Sequence, residues 1–189
     1  MRTAIGASRR DFLRAALGFG AATLAPLSWS ASAPSRVLRA REAQSALVGN
    51  AYPATDVWSY DGSIPGPALR YRQGARLRVE FENALPDPTT VHFHGIRLPN
   101  AMDGVPVLTQ PPIEKGARFV YEFDLPDAGT YWYHPHLGSP EQVGRGLSGA
   151  LIVEEAEPPA VDRDLVWLLS DWRLDREARI VANFGNFMD

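Results

Sequence analysis

From Arg36 onward the sequence predicts an all-β fold, an antiparallel sandwich or barrel. Three observations carry that prediction. Several runs alternate apolar and polar residues with the two-residue period of a half-buried strand. Clusters of Gly, Pro, Asn and Asp, the residues that favour tight turns, separate those runs. The 3.6-residue period of an amphipathic helix is scarce over the same stretch.

Residues 1–33 stand apart from this pattern. In "SRRDFLRAALGFGAATLAPL" the pair Arg9 and Arg10 precedes an apolar run, and "ASA" at Ala31 to Ala33 offers the small residues a signal peptidase needs. The run from Ala15 to Leu27 is shorter than the ~20 residues of a membrane-spanning helix. Ser8, Arg9, Arg10, Phe12 and Leu13 resemble the twin-arginine export signal, which implies a periplasmic or secreted protein with no membrane attachment once the leader is removed.

The elements follow in order. "RLRVEFEN" (76–83) sets Leu77, Val79 and Phe81 on one face and Arg78, Glu80 and Glu82 on the other. "ARFVYEFDL" (117–125) repeats the alternation with Phe119, Tyr121 and Phe123, and "SGALIVEE" (148–155) is apolar enough for a buried strand. Turns are expected at "DGSIPGP" (61–67), "LPDP" (85–88), "PNAMDG" (99–104), "PPIEKG" (111–116) and "LPDAG" (125–129). An acidic, proline-stiffened linker, "EAEPPA" (155–160), precedes one more apolar strand expected in "DLVWLLSDW" (164–172). The 17 residues after it are too few to bury a core, so this end reads as the start of a second domain.

Composition narrows the chemistry. The formal net charge is −3 over 189 residues, and no basic run points to nucleic acid or an anionic membrane surface. Removing residues 1–33 takes away four arginines and one aspartate, leaving a charge of −6. The chain has no cysteine, which excludes disulfides, thiolate metal ligands, iron–sulfur clusters and a cysteine nucleophile within it. No Gly-x-Ser-x-Gly elbow, phosphate loop or dinucleotide fingerprint occurs.

The four histidines fall into two His-x-His pairs, His92/His94 in "VHFHG" and His134/His136 in "YWYHPH". Residues two apart on a strand share a face, roughly 6.5–7 Å apart. His92 and His94 are thus expected together, with Val91 and Phe93 turned into the core. His134 and His136 share a face with Trp132, opposite Tyr131 and Tyr133, and Pro135 ends regular pairing. One such pair is more often structural than not. Two pairs that use every histidine point to a metal, provided the two strands are neighbours. Imidazole suits copper, zinc, iron or nickel, and four imidazoles also meet zinc's tetrahedral preference.

"SIPGPALRYRQGARLRVEFENALPDPTTVHFHG", "MDGVP" and "GTYWYHPHLGSPEQVGRGLSGALIVEE" together resemble the N-terminal cupredoxin domain of multicopper oxidases, from about Val57 to Glu155. "LVWLLSDWRLD" (165–175) resembles the opening strand of that family's second domain. The resemblance implies a cupredoxin-like Greek-key β-sandwich at 34–157 and, at 158–189, a linker with the truncated start of a second cupredoxin domain. It implies copper as cofactor, in the type 2 and type 3 sites of a trinuclear centre. His92 would bind the type 2 copper, His94 and His134 one type 3 copper, and His136 the other. Asp103 matches the acidic residue that assists proton delivery near the type 2 copper, although an Asp-Gly turn alone would also account for it. Relatives pass electrons from a phenol, metal ion or similar donor to O2, which becomes water.

The resemblance also sets a limit. The family's His-Cys-His motif, type 1 copper ligands and second half of the trinuclear cage lie in further C-terminal cupredoxin domains. A chain with four histidines and no cysteine is therefore expected to be an N-terminal portion, without oxidase activity by itself. Two other roles stay open: an exported copper-binding module without catalysis, and a structural relative of the family.

Overall fold

A computed structural model describes residues 35–184, and the leader predicted at 1–33 lies outside the described residues. Among the described residues eight strands form two four-stranded sheets. They are β1 (Arg36–Ser45), β2 (Thr55–Tyr60), β3 (Gly66–Arg72), β4 (Arg76–Asn83), β5 (His92–His94), β6 (Arg118–Asp124), β7 (Gly129–His134) and β8 (Gly149–Glu154). One sheet runs β2-β1-β4-β6 and the other β3-β8-β7-β5. Among the described residues helix is scarce: a 3-10 turn at Asn100–Met102 and the six-residue α1 (Ser139–Gly144). This is the cupredoxin-like sandwich that the resemblance implies.

The alternating runs fold as their period requires. Leu77, Val79 and Phe81 of β4 and Tyr121 and Phe123 of β6 are buried, and Phe119 is half-buried. On the outer face, Arg76 pairs with Glu122 and Asp124, and Arg118 with Glu82, across the same two strands. Asn83 continues the inward row of β4 and is fully buried. Its amide donates to the carbonyls of Asp87 and Ile113 at 2.9 and 2.8 Å, and its oxygen accepts the Leu85 N–H at 3.0 Å. Every polar atom of that side chain is thus satisfied, as burial demands.

Two expectations need correction. The sandwich is not purely antiparallel, because β1 pairs with β4, and β3 with β8, in parallel. Alternation reveals which face a strand buries but not which strand lies beside it, and here strands distant in sequence become neighbours. Residues 164–172 form no strand. Their alternation persists, with Val166, Leu168 and Trp172 half-buried and Leu165, Trp167 and Leu169 exposed, yet no described strand pairs with them. A strand exists only through a partner's hydrogen bonds, and apolar character does not supply one.

Aromatic rings fill the space behind the histidines. Phe93 packs against Tyr121, Phe123 and Tyr133 with ring centroids 5.5, 5.2 and 6.3 Å apart, and Tyr60 lies 5.1 Å from Tyr133. Phe93 and Tyr133 sit opposite each other on β5 and β7. The same alternation that buries them directs His92, His94 and His134 to the other face.

Candidate metal centre

The site begins with a register. β5 and β7 pair antiparallel with His92 opposite His134 and His94 opposite Trp132. Four imidazoles meet as a consequence. The ring of His92 lies 5.5 Å from His94, 5.4 Å from His134 and 4.7 Å from His136, centroid to centroid. His94 and His136 lie 5.6 and 5.8 Å from His134. β7 ends at His134, and Pro135 carries the chain out of the ladder as its missing N–H requires.

Donor atoms converge as well as rings. One ring nitrogen from each of His92, His94 and His134 lies within 4.8 Å of the other two. His94 Nδ1 stands 3.4 Å from His134 Nε2. Two nitrogens bound to one ion at about 2.0–2.1 Å and a tetrahedral angle would be ~3.4 Å apart, so this pair has the separation a shared ion needs. The donor set is nitrogen-only, which suits copper or zinc better than a hard cation such as magnesium.

Backbone carbonyls decide which nitrogen two of the rings offer. His92 Nδ1 lies 2.6 Å from the carbonyl oxygen of Asp103. An oxygen of that kind only accepts, so Nδ1 carries the proton and Nε2 keeps a free lone pair. His134 Nδ1 donates in the same way to the carbonyl of Pro135 at 2.9 Å, leaving its Nε2 bare. A hydrogen bond on the outer ring nitrogen is how proteins orient a metal-binding histidine. Burial, and secondarily the neighbouring imidazoles, pushes the His134 pKa down to about 4 despite the Pro135 bond. Burial also lowers that of His136, with His92 next in effect. His134 is therefore neutral, and able to bind a metal, well into the acid range, and burial biases His136 in the same direction.

The structure brings all five sequence-predicted residues together. Asp103 caps the 3-10 turn, and besides its carbonyl contact its carboxylate oxygen lies 3.3 Å from His92 Nδ1. Sequence reasoning did not find the residues that hold the two pairs in place. Val91 N–H donates to the Tyr121 hydroxyl at 2.9 Å, anchoring the start of β5 in the core. His136 N–H donates to Thr90 Oγ1 at 3.2 Å, tying the second pair to the first. Gln142 of α1, itself buried, accepts from Thr89 Oγ1 at 2.6 Å and donates to the Pro88 carbonyl at 3.0 Å. Trp132 stacks on His134 at 3.9 Å. Only Trp132 carried a signal, its shared face with His134. The others act through the fold and have no local pattern.

Comparison with known proteins agrees with this geometry. A family model described as multicopper oxidase matches residues 42–158, a span that contains all four histidines and Asp103. The chain is 40% identical over 150 residues to a copper resistance protein A homolog of Pseudomonas syringae pv. tomato, covering 78% of this chain and 25% of that protein. It is 36% identical over 185 residues to the multicopper oxidase MmcO of Mycobacterium tuberculosis, covering 87% and 36%. The crystal structure of a multi-copper oxidase from Pseudomonas thermotolerans superimposes with a TM-score of 0.74 at 46% identity, over 78% of this chain and 36% of that one. The chain thus spans between a quarter and about a third of the length of these relatives.

Proposed function

We propose that this chain, which belongs to the multicopper oxidase family, supplies half of the ligands of a trinuclear copper centre that reduces O2. In this reading His92 holds the type 2 copper, His94 and His134 share one type 3 copper, and His136 holds the other. Residues 34–157 act as the N-terminal cupredoxin domain. Residues 158–189 lead into a second one, and further cupredoxin domains complete the cage. Residues 1–33 serve as a twin-arginine leader that places the protein in the periplasm or outside the cell. The observation that carries the reading is the register of His92 opposite His134, which gathers four imidazoles on one patch.

Copper bound at this patch supplies the one-electron steps by which electrons from a reducing substrate reach O2. The chain's own residues prepare for that chemistry. The Asp103 and Pro135 carbonyls hold His92 and His134 in the tautomer whose Nε2 is free. Burial keeps His134 neutral, so a proton competes poorly with a metal for its nitrogen. The Asp103 carboxylate, half-exposed beside His92, is placed to take protons from solvent and deliver them toward the centre. With no cysteine, the chain offers no thiolate for a type 1 copper, so electron entry belongs to other domains.

Copper titration with electron spin resonance tests the assignment. Stoichiometric, nitrogen-coordinated Cu(II) that disappears on combined His92→Ala and His134→Ala substitution is the expected result. Copper at background level in the unsubstituted chain sinks it. A non-catalytic copper-binding role has one observation in its favour: three donor nitrogens already within 4.8 Å in a single chain. The readings separate when the complementary domains are supplied. Oxygen uptake with a phenolic donor supports the oxidase, and retained copper without uptake supports the binding module.

A further inference from the structure

We propose that Gly104 is a positioning residue of the metal centre, because its missing side chain lets the Asp103 carbonyl reach and lock the ring of His92. The proposal rests on the copper reading above for its affinity readout only. The tautomer it predicts belongs to the metal-free protein.

The 100–104 turn lies directly on the entry to β5, against Val91 and the His92 backbone nitrogen. A Cβ at position 104 would overlap the Val91 carbonyl oxygen and stand 2.5 Å from its carbon and 2.9 Å from His92 N. None of these is the yielding end of a flexible side chain. All are backbone at the entry to β5, where Val91 is pinned from behind by the Tyr121 hydroxyl and His92 is paired with β7. Any side chain must therefore lift the turn away from β5. Gly104 also has φ +73°, a left-handed conformation that costs other residues energy. The immediate casualty would be the neighbouring 2.6 Å contact between the Asp103 carbonyl and His92 Nδ1. The Asp103 carboxylate, 3.3 Å from the same nitrogen, rides on the same turn and is drawn away with it, so the proton is no longer held on Nδ1 and Nε2 is no longer reserved for a metal. Losing an outer hydrogen bond of this kind weakens metal binding by about 10–100-fold in comparable sites.

Gly95 provides an internal control. It follows His94, has φ +84°, and a Cβ there meets only Tyr131 Cδ1 at 3.6 Å, an ordinary contact. Gly95→Ala thus carries the same kind of backbone strain beside the same site without touching the Asp103 carbonyl.

The test uses the 189-residue chain with 15N-labelled histidine, metal-free, with long-range proton–nitrogen correlation at neutral pH. Only four imidazoles contribute signals. The expected spectrum shows His92 as a single Nδ1–H tautomer. That signature persists in Gly95→Ala and in Asp103→Asn, which retains the backbone carbonyl, and gives way to tautomer mixing in Gly104→Ala. Copper titration of Gly104→Ala then shows affinity about 10–100-fold below that of Gly95→Ala. Three outcomes overturn the proposal: a wild-type His92 protonated at Nε2, loss of the signature in Asp103→Asn or Gly95→Ala, or its full retention in Gly104→Ala. The wild-type and Asp103→Asn spectra decide even if Gly104→Ala does not fold. A correct tautomer pattern in a chain that binds no copper would instead count against the copper reading alone.

Discussion

β5 and the segment 164–172 differ in a way that inverts their sequences. β5 is three residues long, and two of the three are histidine. Residues 164–172 are longer and far more apolar. Yet β5 is held on every side, by the β7 ladder, the Tyr121 hydroxyl, the Thr89–Gln142 clamp and the Asp103 turn. The longer segment pairs with no described strand and leaves Leu165, Trp167 and Leu169 at 69%, 81% and 85% exposure. Partners, not hydrophobic content, decide which stretch becomes a strand. The candidate site sits on a short element with little apolar content of its own that its surroundings hold in place.

The largest expected effect breaks β5 from within. Phe93 is 1% exposed and packs against three aromatic rings between the two histidines. Phe93→Ala should cost about 3–5 kcal/mol in urea unfolding, the usual price of truncating a buried aromatic. A cost below about 1 kcal/mol would mean that β5 is not anchored by the core.

Acid should reach the site next. An unfolded histidine titrates near 6.5, whereas burial, the leading cause, holds His134 at about 4 in the folded chain. Between those values the unfolded state binds a proton that the native state refuses, so stability rises with pH across the window. The contribution is intact above pH ~6.5, drains as pH falls, and is lost below about 4, amounting to the order of 3 kcal/mol. Urea midpoints of metal-free protein from pH 7 to 4.5 measure it. The slope should flatten in His134→Gln, and an unchanged slope would remove His134 as its source.

Gln142→Ala has a smaller predicted effect and separates clamp from core. It removes two hydrogen bonds, takes the side-chain donor from the Pro88 carbonyl and leaves the Thr89 hydroxyl with only its longer 3.3 Å contact to the Thr90 carbonyl. The expected loss is about 1–3 kcal/mol. It should be accompanied by weaker copper binding, because the clamp ties α1, just after the second histidine pair, to the lead-in of the first. Loss of stability with unchanged affinity would show that the clamp does not position the ligands.

The legible part of this molecule was its periodicity. Leu77, Val79 and Phe81 could be assigned to a buried face because alternation is a property of a single strand, and the His-x-His spacing could be read as a shared face for the same reason. Pairing was legible only in part, since nothing in β1 or β4 announces that they lie side by side in parallel. The second layer of the site was hidden for a related reason. Gln142, Thr90 and the Asp103 carbonyl act across contacts that link residues 88 to 142, 90 to 136 and 92 to 103. A backbone carbonyl leaves no mark in a sequence, and Gly104 read as an ordinary turn residue until its distance from Val91 was known.

The smallest expected effect lies on the other side of the comparison. Trp167→Ser and Leu169→Ser remove large apolar side chains, and in a core each would cost several kcal/mol. At 81% and 85% exposure they bury almost nothing, so each should change stability by no more than about 0.5 kcal/mol in urea. Their visible consequence should be in association instead. A segment that pairs with no described strand and carries an outward apolar row offers both backbone hydrogen bonds and side chains to another chain. Sedimentation of the double variant should show less self-association than the unsubstituted chain. A cost above about 1 kcal/mol would reveal that the row is covered in solution, and the contrast with β5 would then be one of degree: both stretches would have found partners, one of them within the sandwich and the other outside it.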